Sequence, residues 1–326
     1  MGRDDLDALV IGAGVSGLTT AVRLVEAGLR VRIWAAEPPE ATTSMAAGAM
    51  WGPYLVEPLD KVRVWSRQTL DELRRLAIQP DTGVRLVPGI EASRTPVEPP
   101  EWGNQLDGFR MCSESDLPKG FAAGWRFLAP LVDMPIYLSY LQRRLATAGV
   151  AVEIRRIDKL AQVTGMSPIV VNCTGIGARN LVPDPDLTAI RGQLVVVENP
   201  GITDFFAEDT GPSPDLLHIY PQGDTIVLGG LAATGEWDLQ PDPAVAAAIL
   251  ARCIEVEPRL RHARVIGHRV GLRPTRPQVR VEKALIDSTT VIHNYGHSGA
   301  GVTLSWGCAT EVTAIASKSA PGLRSH

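Results

Sequence analysis

Residues 7–37 read DALVIGAGVSGLTTAVRLVEAGLRVRIWAAE, and their pattern decides the fold. Ala8–Ile11 is an apolar run of strand length. Gly12, Gly14 and Gly17 interrupt it, and Leu18, Ala21, Val22 and Val25 then recur at helical spacing. Gly28 marks a helix C-terminus. Residues 31–34 return to an apolar strand, which makes a βαβ unit with a crossover helix. Each glycine of GAGVSG has a physical task. Gly12 permits the tight turn, Gly14 lets a pyrophosphate approach the backbone, and Gly17 lets the helix pack on the sheet. Ala13, Val15 and Ser16 complete the turn. The helix N-terminus adds unpaired N–H groups and about half a positive charge, which suits phosphates. A ribose-binding acid is expected about twenty residues further on. Glu37, next to Ala36, is available there, although the strand ends just before it. It is either that ligand or a solvated loop carboxylate.

The chain has 326 residues, 45% hydrophobic and 21% charged, the balance of a globular protein with a large core. Its net charge of −4 supplies no bulk attraction toward nucleic acid or an anionic membrane. The glycines and threonines of the first apolar stretch argue against a membrane span. The opening MGRDDLD is acidic and polar, unlike a secretory leader, and the closing LRSH does not match the peroxisomal tripeptide. The four cysteines are far apart and form no CxxC pair, so neither a zinc site nor a redox pair is signalled. The expectation is a cytoplasmic protein with free thiols and no metal.

After the βαβ unit the chain changes character. PPEATTSMAAGAMWGPY (38–54) is a small-residue loop, and a polar helix follows at 61–77. Residues 84–124, rich in Pro, Gly and Trp, read as strands and loops. Residues 134–157 give a helix, a glycine stop and a strand, and SPIVVNCTGIGARN (167–180) gives a buried strand ending in a glycine-rich turn. RGQLVVVENP (191–200) begins another strand. LLHIYPQGDTIVLGGLA (216–232) has a hairpin signature at 222–224. An alanine-rich helix at 243–254 precedes a strand, a loop, a further strand and a last helix. The expected fold class is α/β: a discontinuous Rossmann-like nucleotide-binding domain (1–55, 145–190, 265–326) with an inserted antiparallel-sheet α+β domain (56–144, 191–264). No second GxGxxG is present for NAD(P)H, which favours a flavin as the dinucleotide.

The closing stretch VIHNYGHSGAGVTLSWGCA (291–309) resembles the signature of the D-amino-acid oxidase family. The resemblance extends in order through VIGAGVSGL, TTSMAAG, WGPY, VVNCTG, RGQ, IYPQGDTIVLGG and GLRPTRPQVRVE, nearly the whole chain. It implies FAD as cofactor, held by the GAGVSG turn, Ala36, Glu37, Thr42, Thr43, Ser44, Gly48, Met50, Ile157, Thr174, Gly175, Arg273 and the segment Ser298, Gly299, Ala300, Gly301, Val302, Thr303.

The resemblance also implies hydride transfer from a D-amino acid to the flavin, reoxidation by dioxygen, and no essential acid–base side chain. Arg273 falls where the family holds the substrate carboxylate, a task suited to a bidentate guanidinium. The other arginines among the seven from Arg259 to Arg280 read as a solvated face, and Arg276 as structural. The family's pocket tyrosine is replaced by His218, while Tyr220 shares its strand face. Met50 and Tyr54 match the opposite wall, and Gly299 with Ser298 the site of the substrate amine. His293 and His297 read as structural. Phe205 and Phe206 fall in a segment, 201–215, that reads as a lid. The implied substrate is a neutral D-amino acid, and a homodimer is compatible. Alternatives are a D-aspartate oxidase, a glycine- or sarcosine-type amine oxidase, a pyridine-nucleotide dehydrogenase, or a dinucleotide-binding protein without catalysis. The run Leu231, Ala232, Ala233 after LGG carries no arginine and disfavours the first.

Overall fold

The computed structural model describes residues 6–53, 56–208 and 215–319. Its first half contains β1 (Ala8–Ile11), α1 (Val15–Glu26), β2 (Val31–Ala35), α2 (Leu59–Ala77), β3 (Val84–Ser93), β4 (Asp107–Met111), β5 (Ala123–Val132) and α3 (Met134–Thr147). Then come β6 (Val152–Ile154), β7 (Ile169–Asn172), the single turn α4 (Ala178–Leu181), β8 (Thr188–Glu198) and β9 (Phe205–Glu208). The last part is β10 (Asp215–Gln222), β11 (Thr225–Leu231), β12 (Ala233–Thr234), α5 (Pro243–Val256), β13 (Val265–Ile286), β14 (Thr289–His297) and α6 (Gly301–Ser319).

All four residues of β1 are buried, as a parallel strand covered on both faces requires. It pairs in parallel with β2 and β7, and the parallel set extends to β6 on one side and β14 on the other. Gly28, at φ +84°, closes α1 and turns the chain into β2. The helices α1, α2, α3 and α6 contribute to one large core. A side chain on Gly307 would overlap the backbone of Trp65, so this glycine sets the close crossing of α2 and α6. The neighbouring Trp306 is fully buried and donates its indole N–H to the Tyr137 hydroxyl at 2.7 Å.

Beyond β14 the sheet continues as β13, β8, β11, β10, β9, β3, β5 and β4, antiparallel except for β3 with β9. A second core lies between these strands and α5, which Asp242 caps through the N–H groups of Ala244 and Val245. The expected strand, loop and strand near RPTRP is one 22-residue strand, β13. Its early residues pair with β8, its late residues with β14, and the register shifts between Thr275 and Arg280. Pro277 sits in that shift, where a missing N–H costs no ladder bond. Hydrogen bonding therefore runs unbroken from the parallel set into the antiparallel set. Phe205 and Phe206 lie in β9 and are buried, not in a loop. Phe205 packs on Phe127 and Tyr220, and a side chain on Gly89 would overlap its ring. Residues 209–214 of the expected lid lie outside the described residues.

Candidate active site

One large cavity of about 1290 Å³ opens where the C-terminal ends of β1, β7 and β14 meet the N-termini of α1 and α6. Ligands of open α/β sheets bind at such strand ends. The volume exceeds the roughly 300–1,000 Å³ of ordinary small-molecule pockets and suits a dinucleotide together with a substrate.

At one end, Gly12 adopts φ +112°, and a side chain there would overlap the Cys173 carbonyl. Gly14 caps α1 with no side-chain hydrogen bond, and the first turn carries no acid. The Ser44 hydroxyl accepts from the Val15 N–H at 2.9 Å, so loop 42–48 is pinned against the helix start. Gly12, Ala13, Gly14, Val15 and Ser16 line the cavity, as do Ala36, Glu37, Thr42, Thr43, Ser44, Gly48, Ile157, Thr174 and Gly175. Gly17 does not: a side chain there would overlap the Gly12 carbonyl, so it serves the packing of α1. Glu37 is exposed at the far end, with Arg156 close enough to feel its charge. On the facing side Ser298, Gly299, Gly301, Val302 and Thr303 line the cavity, while Ala300 is buried in the core behind it. Ser298 has φ +52°, a sparsely populated conformation for a residue with a side chain, and donates its N–H to the Pro274 carbonyl at 3.0 Å. Thr303 exchanges hydrogen bonds with the Gly52 backbone at 3.1 and 3.2 Å, joining α6 to the Trp51 loop.

At the other end, Arg273 projects from β13 between two glycines. A Cβ on Gly192 would stand 2.7 Å from its guanidinium, and one on Gly299 would stand 3.6 Å from its Cδ. Arg273 Nη1 donates to the Leu231 carbonyl at 2.9 Å. His218 and Tyr220, two apart on β10, stack with ring centroids 4.3 Å apart and planes 18° from parallel. Both line the cavity with Met50, which bridges to Leu131. Burial, and secondly the charge of Arg273, push the His218 pKa down to about 3, so the imidazole is neutral. Its Nε2 is sealed from solvent and has no hydrogen-bond partner among the described residues. A side chain on Gly229 opposite would overlap the imidazole. Burial, then the charge of Glu91, raises the Tyr220 pKa far above its ordinary value, so the phenol stays protonated. Tyr54 lies outside the described residues.

His293 and His297 belong to a buried polar network. His293 Nδ1 is 3.3 Å from Asn172 Nδ2, His297 Nε2 is 3.0 Å from Asn294 Oδ1, and Asn294 donates to Thr20 at 3.0 Å. Desolvation lowers both histidine pKa values to about 4. Arg276 pairs with Asp184 at 3.0 Å, and Asp184 also accepts from Tyr295 at 2.6 Å, so this arginine is tied into the scaffold.

A family model described as FAD dependent oxidoreductase matches residues 7–315. The chain belongs to that family. It is 48% identical over 318 residues to a D-amino-acid oxidase of Rubrobacter xylanophilus, covering 97% of each chain. A D-amino-acid oxidase of Streptomyces coelicolor is 45% identical, covering 96% of this chain and 97% of the relative. A human D-aspartate oxidase is 34% identical, covering 97% and 96%. Among solved structures, glycine oxidase from Geobacillus kaustophilus superimposes with a TM-score of 0.80 at 18% identity, covering 98% of this chain and 96% of that one. The cofactor is FAD, and the residues present fit it. Glycines at the first turn leave room for phosphates, and two helix N-termini without first-turn acids face the cavity.

Several lining residues carried no assigned role in the sequence reading: Gly192, Leu194, Glu91, Trp102, Thr234 and Leu239. Gly192 had a signal, since a glycine inside an otherwise branched strand marks close approach. Glu91 and Trp102 had none, because only sheet topology brings β3 and the segment after it to the cavity.

Proposed function

We propose that the protein catalyses oxidative deamination of D-amino acids. A D-amino acid, dioxygen and water become a 2-oxo acid, ammonia and hydrogen peroxide. The carrying observation is the placement of Arg273 in the same cavity as the α1 and α6 N-termini, steered by Gly192 and Gly299. Its guanidinium pairs with the substrate carboxylate. The Gly299 carbonyl and Ser298 hold the amine, and Met50, Tyr220 and His218 shape the side-chain pocket. Bound FAD supplies the acceptor for the α-hydrogen as hydride. Gly12 to Ser16, Ala36, Glu37, residues 42–44, Gly48, Ile157, Thr174 and Gly175 would hold the nucleotide, and Gly301 to Thr303, at the α6 N-terminus, would face the flavin and supply stabilisation of negative charge there. His218, His293 and His297 are neutral and hydrogen-bonded or stacked, which suits orientation rather than proton transfer.

Residues 1–55, 145–190 and 265–326 make the FAD half and the remainder the substrate half, joined through β8 and β13. Four free thiols suit a cytoplasmic setting. No described helix is long and apolar enough to cross a membrane. Anaerobic addition of D-alanine to the yellow protein tests the reading: the flavin absorbance bleaches, and L-alanine leaves it unchanged. Persistence of the colour with every neutral D-amino acid would refute it.

A further inference from the structure

We propose that Gln222 is a positioning residue for the substrate, which it never touches: by holding the Gly48 carbonyl it seats the His218–Tyr220 stack and sets the width of the side-chain pocket between that stack and Met50. This rests on the D-amino-acid reading and deepens it. His218, Tyr220 and Gln222 alternate along β10 and so face one way, while Leu217 and Ile219 face the second core. Gly48 meets all three. A Cβ on Gly48 would stand 3.1 Å from His218 Nε2 and 3.3 Å from Tyr220 Cδ2, so both rings rest on its bare α-carbon. The Gln222 amide donates from Nε2 to the Gly48 carbonyl at 2.5 Å and to the Val132 carbonyl at 3.2 Å. Gln222 is 4% exposed and does not line the cavity, whereas Gly48, Met50, His218 and Tyr220 do.

The contact has a fixed sense. Both partners are carbonyls, so only the NH2 side of the amide can face them. The other side, Oε1, is buried with no hydrogen-bond partner among the described residues. A buried acceptor left unpaired costs stability that an apolar side chain of the same size would not. What the amide contributes is therefore its two N–H bonds, which tie Gly48 to β5 and β10. The neighbouring residues are fastened from other groups. Arg269 donates to the Ala47 carbonyl at 3.3 Å, the Val132 N–H to the Ala49 carbonyl at 2.9 Å, and the Trp51 N–H to the Pro130 carbonyl at 3.0 Å. Gly48 is the point of this segment that carries the aromatic stack, and Met50, two residues on, lines the same cavity. Without the Gln222 amide the stack loses its seat, and its distance from Met50 is no longer fixed.

The test is steady-state kinetics of the FAD-loaded protein with D-alanine and D-phenylalanine. Gln222→Leu removes both N–H donors and raises KM for each substrate at least ~fivefold while kcat stays within about twofold, because Arg273 and the flavin end are not moved. Gln222→Glu gives a pH signature. As a carboxylate it opposes two carbonyls, and only its protonated form donates to Gly48. Its KM relative to wild type at the same pH therefore falls as pH is lowered from about 8 to about 6. The charged groups beside this contact are Arg85 on the Pro221 carbonyl, Arg269 on the Ala47 carbonyl, and buried Asp133, on which both arginines act. They are common to both proteins and cancel in that ratio, and His218 and Tyr220 stay neutral across the range. The assignment is overturned if Gln222→Leu keeps its flavin with KM unchanged, which is the result a merely structural glutamine would give, or if the KM ratio of Gln222→Glu does not change with pH. If Gln222→Leu loses its flavin, Gly48→Ala decides. It keeps the hydrogen bond, pushes the stack toward the substrate, and lowers kcat/KM for D-phenylalanine relative to D-alanine at least ~fivefold; an unchanged ratio overturns the seat. Absence of wild-type D-alanine oxidation is a separate outcome, which removes the D-amino-acid reading itself.

Discussion

The guanidinium of Arg273 lies over the bare backbone of Gly192, where a Cβ would stand 2.7 Å from Nη1 and 2.8 Å from Cζ. The atoms that would clash are the far end of a flexible side chain, so Gly192→Ala moves the arginine rather than the strand. The expected outcome is retained flavin, a melting temperature near wild type, and KM for D-alanine raised at least ~tenfold through misplacement of the clamp. Unchanged KM contradicts the role given to this glycine.

Removing the clamp itself has a larger effect. Arg273→Ala lowers kcat/KM for D-alanine by an amount equivalent to about 3–5 kcal/mol, because the substrate carboxylate loses its charged partner. FAD remains bound, since the GAGVSG turn is remote from the change. Arg273→Lys recovers part of the loss, because a point charge replaces a bidentate fork. Near wild-type turnover of Arg273→Ala assigns the carboxylate to another group.

Gly14 and Gly17 separate cofactor binding from folding. A methyl on Gly14 stands 3.0 Å from the Ser44 hydroxyl, within the cavity lining, whereas one on Gly17 overlaps the Gly12 carbonyl. Gly14→Ala is expected to weaken FAD retention while the apoprotein stays folded. Gly17→Ala forces α1 off β1 and costs about 1–3 kcal/mol of stability, as overpacking does. Calorimetry with and without added FAD distinguishes the two.

Three buried imidazoles set an acid limit. His218 has a folded pKa of about 3, and His293 and His297 about 4, against roughly 6.5 in the unfolded chain. The unfolded chain therefore binds more protons across that interval, and stability rises with pH through it. The contribution is fully present above about pH 6.5 and is lost as pH falls toward 4. Thermal unfolding at about pH 5 should occur below that at about pH 7.5, and His297→Gln, which can still donate to Asn294, should flatten the slope. A melting temperature that rises on acidification contradicts neutral burial.

The chemistry-bearing turns were legible because they are local. Three glycines after Ala8–Ile11, the apolar period that follows, and the run from His293 to Thr303 each specify a turn and a helix start within a few residues. Arg273 stood out only through resemblance, because spacing along a strand does not distinguish it from the other arginines of its segment. Its actual distinction is tertiary: Gly192 and Gly299, eighty-one and twenty-six residues away in the chain, leave the space it occupies. The same holds for Phe205 and Phe206, whose glycine- and proline-rich surroundings suggested a lid. Pairing with β3 and β10 buries them instead. The sequence by itself determined the nucleotide-binding unit, since local backbone geometry and periodicity encode it, while FAD as the cofactor followed from the family resemblance. Only the tertiary structure decided that one continuous sheet joins both halves, and that Gly48, His218 and Arg273 line one cavity. Strand order depends on pairings between distant segments, which no local pattern specifies.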